Sequence, residues 1–134
     1  MSSQSLVCLD VGEKRIGVAV ADVGIRIAVP LLTITVDGDE LRAIAEIVER
    51  ESAKTIVVGY PRNQQGESTA QTAYVERFSG QLTDIAEVVF QDESLTSVIA
   101  EDRLKQSGKP YQKADIDAQA AAIILQDYLE TYYG

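Results

Sequence analysis

Residues 5–10 (SLVCLD) are apolar at odd and even positions alike, the pattern of a strand buried on both faces. Val11 to Lys14 is a tight connection holding Gly12, and residues 15–22 (RIGVAVAD) read as a second strand, hairpinned to the first. A third strand is expected at about 28–36, with Pro30 near its start, where a proline is tolerated. Asp37-Gly38 signals a turn. From Glu40 to Ser52 the positions Leu41, Ile44, Ala45, Ile47 and Val48 recur at helical spacing, with Glu and Arg on the opposite face. TIVV at 55–58 predicts a short buried strand, ended by Gly59-Tyr60-Pro61 and a polar loop. Thr69 to Leu82 predicts a helix that turns Ala73, Phe78 and Leu82 inward. AEVVF at 86–90 is a fifth strand. Thr96 is placed to cap a helix to about Gln106, Gly108 and Pro110 break the pattern, and Asp115 is placed to cap a last helix running to Tyr132. Three strands followed by alternating helices and strands predict an α/β domain over residues 1–134: a mixed five-stranded sheet flanked by helices.

Composition narrows the chemistry. The 134 residues are 46% hydrophobic, enough for one domain with a real core. A lone cysteine, Cys8, sits in an apolar run and reads as a core residue, and a reducing, cytoplasmic setting is expected. No basic segment leads into a long apolar one, so neither a secretory leader nor a membrane span is expected. There is no histidine, which excludes Ser-His-Asp and Cys-His catalysis and histidine-ligated zinc. Any enzyme chemistry falls to carboxylates, lysines or a hard metal ion. The net charge of −9 argues against a broadly basic surface that coats nucleic acid.

Three acidic residues stand where α/β folds place sites, at strand ends and helix starts. Asp10 ends the first strand and shares a face with Leu6 and Cys8; an acid ending a doubly buried strand needs a partner or a cation. Glu93 follows the fifth strand, although Asp92 and Glu93 also suit a helix start. Asp117 shares a helical face with Ala121, Ile124 and Tyr128, an apolar stripe that must pack inward, whereas Asp115 points elsewhere and reads as the cap. Three carboxylates converging without histidine suit a hard divalent cation such as Mg²⁺ or Mn²⁺. A pair of such ions about 4 Å apart clamps the attacking and leaving oxygens of a phosphodiester displacement.

Basic residues gather near these acids. Arg103, Lys105, Lys109 and Lys113 follow one another with no acid among them, and KQSGKPYQK adds Tyr111 as a stacking candidate. Lys14 and Arg15 follow Asp10, and Arg62 follows the fourth strand. Lys14, Arg15, Arg62, Lys105, Lys109 and Lys113 are therefore candidate contacts to a nucleic-acid substrate. Taken alone, each run also suits a solvated loop.

The motifs LDVGEKRIGVAVAD at 9–22, VVGYPRNQQGES at 57–68, DESLTS at 92–97 and DIDAQAAAIILQDYL at 115–129 stand in order at characteristic spacing. Through them the chain resembles the YqgF family, also called RuvX or Holliday-junction-resolvase-like, whose members carry the name pre-16S rRNA nuclease. The likeness runs from about Ser5 to Leu129. It implies a ribonuclease H-like fold and a divalent-metal phosphodiesterase that trims the 5′ end of 16S rRNA precursor during ribosome maturation. It also implies that the family's three carboxylates fall on Asp10, Glu93 and Asp117, as both catalytic and metal-binding residues. Two departures stand out. Ser94 occupies a place where the family often has Arg, removing one basic contact, and the fourth strand ends GYP rather than GLP.

Three alternatives remain open on the sequence: a Holliday junction resolvase acting on DNA, a non-catalytic ribosome- or RNA-binding module of the same fold, and a sugar kinase or actin-like ATPase. The last shares the DxG hairpin but needs two such domains and over twice this length. Junction resolution needs a symmetric dimer, and no dimer face is evident in the sequence.

Overall fold

A computed structural model describes residues 4–61, 67, 69–93 and 96–134. Its elements run β1 (Ser5–Val11), β2 (Arg15–Asp22), β3 (Ala28–Thr35), α1 (Glu40–Glu51), β4 (Ala53–Pro61), α2 (Ala70–Gly80), β5 (Glu87–Glu93), α3 (Thr96–Gln106) and α4 (Lys113–Tyr132). The five strands form one sheet in the order β3-β2-β1-β4-β5. β1, β2 and β3 make an antiparallel meander, and β4 and β5 add in parallel beyond β1. The expected mixed sheet flanked by helices is what forms. No described helix is long and apolar enough to cross a membrane.

Alternation along β1 supplies two cores. Val7, Leu9 and Val11 face Ile44, Ile47 and Val48 of α1 and Val75 and Phe78 of α2. Leu6 and Cys8 face Ala121, Ile124, Leu125 and Leu129 of α4, together with Ala19, Ala21 and Val57 from neighbouring strands. Each fully buried Leu, Ile or Val contributes roughly 1.5–3 kcal/mol. α3 is held on α4 by a smaller cluster of Ala100, Ala120 and Ile123.

Several boundaries differ from the sequence reading. β4 spans nine residues instead of four, because Gly59, Tyr60 and Pro61 stay paired with Gln91, Asp92 and Glu93. β5 likewise extends to Glu93, which is the strand's last residue and does not lie beyond it. α4 begins at Lys113, so Asp115 is not its cap. Gln112 caps the helix, and Asp115 closes a reciprocal capping box by accepting from the Gln112 backbone N–H at 2.8 Å. Asp117 consequently begins the second turn of α4 rather than opening the helix.

Candidate active site

Parallel strands bring their carboxyl ends to one rim of the sheet, where α/β folds keep their ligand sites. Asp10, next to last in β1, and Glu93, last in β5, lie at that rim on the α4 side, with β4 between them. Gly59 of β4 lets them meet. A Cβ there would lie 2.5 Å from Glu93 Oε2 and 2.8 Å from Ile124 Cδ1, so a larger residue would push the Glu93 carboxylate and the Ile124 methyl from these positions. α2 fixes the ends of the strands: Gln71 donates to the Val11 carbonyl at 3.0 Å, and buried Thr72 donates to the Pro61 carbonyl at 2.5 Å.

Asp117 arrives from above. Gly17, the register partner of Asp10, sits directly under the second turn of α4, and a Cβ on it would overlap the Asp117 backbone carbonyl. Thr33 Oγ1 donates to the Ala114 carbonyl at 2.5 Å and seats the helix start on β3. Arg15 Nε donates to Asp117 Oδ2 at 2.6 Å, with the two side chains 38% and 22% exposed.

The electrostatics are those of crowded acids. Burial raises the Asp10 carboxyl to about 6, opposed by its hydrogen bond with Glu93 and reinforced by the Asp117 charge. Burial, then the Asp10 charge, raises Glu93 to about 8. Glu93 Oε2 is buried with no hydrogen-bond partner among the described residues. An orphaned buried carboxylate oxygen beside a second carboxylate calls for a proton or a cation. A hard, oxygen-seeking divalent ion fits that donor set. Among the described residues, no three acidic groups already stand together as a closed ligand set; Asp10 and Glu93 converge, while Asp117 is nearby with its carboxylate turned to Arg15.

The basic candidates separate. Arg15 and Lys113 line a cleft of about 290 Å³ with Asp117, Glu101 and two apolar side chains. Lys109 lines a different cleft, of about 400 Å³ between β3 and the α3–α4 region. Tyr111 lines that same cleft and donates its hydroxyl to Glu101 Oε2 at 2.9 Å. Lys14 and Lys105 are exposed and line neither cleft. Arg62 and Ser94 lie outside the described residues. Sequence reasoning missed Gly17 and Gly59, whose role depends on which backbone or side chain crosses them; Gly17 stands opposite the acidic strand end at Asp10, whereas Gly59 stands opposite Gln91 and carries no such signal.

A five-stranded mixed sheet of this order, with acids at the rim below a long helix, defines a protein of the ribonuclease H-like fold. The fold is shared with Thermus thermophilus RuvC in complex with Holliday junction substrate, at a TM-score of 0.59 and 15% identity over 98% of this chain and 96% of that one. It is shared equally with the fowlpox virus resolvase in complex with Holliday junction DNA, at a TM-score of 0.59 and 13% identity over 98% and 100%. The profile of the RuvX family, described as Holliday junction resolvase, matches residues 4–131, and the chain belongs to that family. A relative from Chloroflexus aurantiacus, named "Putative pre-16S rRNA nuclease", is 47% identical over 97% of this chain and 89% of its own length. One of the same name from Caldanaerobacter subterraneus is 40% identical over 92% and 94%.

Proposed function

We propose that this protein is a divalent-metal-dependent nuclease that matures the 5′ end of 16S rRNA precursor, with Asp10, Glu93 and Asp117 as its catalytic and metal-binding carboxylates. The observation that carries the reading is the buried Asp10–Glu93 pair at the strand rim, with its unpartnered Oε2, in a chain whose relatives bear the pre-16S rRNA nuclease name. Mg²⁺ or Mn²⁺ held there supplies positive charge to a phosphodiester undergoing displacement.

The chain's own residues do the rest. Burial keeps Asp10 and Glu93 poorly solvated, so each gains from a cation far more than a surface acid would. Asp117 contributes a third carboxylate from α4, and Arg15 fixes its orientation. Arg15 and Lys113, on the wall of the adjoining cleft, offer positive charge to backbone phosphates; exposed Lys14 and Lys105, Lys109 in the neighbouring cleft, and Arg62 from its place in the sequence are the further candidates. On this reading the protein works in the cytoplasm, on precursor rRNA or the assembling ribosomal particle.

The absence of histidine disfavours attack by the RNA's own 2′-hydroxyl, which relies on general acid–base groups. The expected products therefore carry a 5′-phosphate and a 3′-hydroxyl. The family description also names junction resolution, which requires two sites related by a two-fold axis. The test is incubation with Mn²⁺ and either end-labelled precursor rRNA or a synthetic four-way junction, followed by analysis of the product ends. Cleavage of rRNA with 5′-phosphate ends is expected. Cyclic-phosphate ends would overturn the mechanism, and paired symmetric nicks in the junction with intact rRNA would overturn the substrate.

A further inference from the structure

A cleft of about 400 Å³ opens between β3 and the α3–α4 region, beside the carboxylate rim. Asp10 of β1 pairs with Gly17 of β2, and Gly17 pairs with Thr33 of β3. Neighbouring strands lie about 4.8 Å apart, so Thr33 stands about 10 Å from Asp10 in one row across the sheet. Thr33 lines the cleft, and its hydroxyl seats the start of α4 over that row. Asp117 and Gln119 are two residues apart on α4, about 200° round the helix. Asp117 pairs with Arg15 on one flank, and Gln119 lines the cleft on the other. Only the width of the helix separates the three carboxylates from the cleft, close enough for one strand of RNA to reach both.

The lining suits a flat, uncharged group that hydrogen-bonds at its edge. Tyr111 is half-buried and packs on no other ring among the described residues, and its hydroxyl bond to Glu101 holds it in place. Leu104 and Pro110 supply apolar surface beside it. Gln119 is half-buried, and its amide, both donor and acceptor, takes part in no hydrogen bond among the described residues. Lys109 is exposed and makes no ion pair among the described residues. Asp115, the acid of this lining, is already engaged with the Gln112 N–H. With one charge of each sign the cleft is neutral, which disfavours a phosphate inside it and favours an aromatic ring with polar edges. We propose that the cleft takes an unpaired base of the RNA strand whose phosphodiester lies at the carboxylate rim. The base stacks on Tyr111, Gln119 reads its hydrogen-bonding edge as an amide does for adenine, and Lys109 meets the adjoining phosphate at the mouth. A paired base is stacked and closed at its edge, so the pocket selects single-stranded RNA near the cut. This rests on the reading of the chain as an RNA nuclease, which supplies the strand.

The test is fluorescence anisotropy of the full chain with labelled oligoadenylate, in EDTA so that binding is read without cleavage. Comparison ligands are a ribose-phosphate strand of equal length lacking bases, a duplex of oligoadenylate with oligouridylate, and AMP. Oligoadenylate should bind at least about tenfold more tightly than the strand without bases or AMP. Tyr111→Ala, checked for folding by its melt, should weaken oligoadenylate about tenfold and leave the strand without bases and the duplex unchanged. Tyr111→Phe, which keeps the ring and loses the bond to Glu101, should bind as wild type does. Gln119→Leu, of similar size, should weaken oligoadenylate about threefold. Equal binding of the two single strands, or weakening of both alike by Tyr111→Ala and Gln119→Leu, would overturn the proposal. So would AMP binding as tightly as the strand, which marks a mononucleotide site. Base-dependent binding in a protein that cleaves no RNA with Mn²⁺ would unseat the nuclease reading and leave the pocket, whereas base-independent binding in a protein that cleaves would unseat the pocket alone.

Discussion

Glu93→Gln is the sharpest perturbation of the site, because burial makes the wild-type residue costly when no cation is present. Its carboxyl titrates at about 8 in the fold against an ordinary 4.5. The sign follows from proton linkage. Below pH 4.5 the group is protonated in both folded and unfolded chains and costs nothing. As pH rises from 4.5 towards 8 the unfolded chain alone releases the proton, so the metal-free fold loses stability. At about 1.4 kcal/mol per unit, the loss by pH 7 is about 3 kcal/mol. Glutamine has nearly the same shape, carries no charge and can donate to Asp10. In EDTA at pH 7–8, Glu93→Gln should therefore melt about 10 °C above wild type. Near pH 5 the two should nearly coincide. Differential scanning calorimetry of both proteins from pH 5 to 8.5 measures this directly. A difference that does not change with pH, or a variant less stable than wild type at pH 8, would refute the reasoning.

Other expectations follow from the same geometry. Gly17→Ala forces a methyl group against the Asp117 backbone carbonyl of α4 and should cost about 1–3 kcal/mol in chemical denaturation while displacing Asp117 and depressing cleavage; an active variant of unchanged stability would count against the close approach. Asp117→Asn should abolish cleavage with little loss of stability, whereas Asp115→Asn should retain activity, because asparagine can still accept from the Gln112 N–H; loss of activity in the Asp115 variant alone would reverse the assignment. Replacing Lys105, Lys109 and Lys113 together with Gln should flatten the salt dependence of RNA binding by roughly 0.7–0.9 per lost phosphate contact, measured by filter binding, and an unchanged slope would make them solvated loop residues.

The fold was largely legible because its signals are local and redundant. β1 is apolar on both parities, α1 shows a clean helical stripe, and alternation after a meander leaves few topologies. What escaped the sequence depends on neighbours. Gly59-Tyr60-Pro61 looks like a turn, yet β5 keeps those residues in register and carries Glu93 to the rim. Gln112 is an unusual cap and became one only through its reciprocal bond with Asp115. The facing of Asp10 and Asp117 could be read from strand parity and helix spacing. The clearances that bring the acids together, at Gly17 for Asp117 and at Gly59 for Glu93, are tertiary facts with no periodicity. The pairing of Arg15 with Asp117 crosses 102 residues of sequence and turns a candidate substrate contact into a partner of the third carboxylate.

The central claim, that Asp10, Glu93 and Asp117 together hold the divalent ion a nuclease needs, is tested most directly by thermal melts of wild type and Asp10→Asn across a Mn²⁺ titration. An ion bound only by the folded wild type should raise its stability by about 2.7 kcal/mol at a hundredfold excess over Kd, with little rise in Asp10→Asn. An equal rise in both proteins would contradict the account.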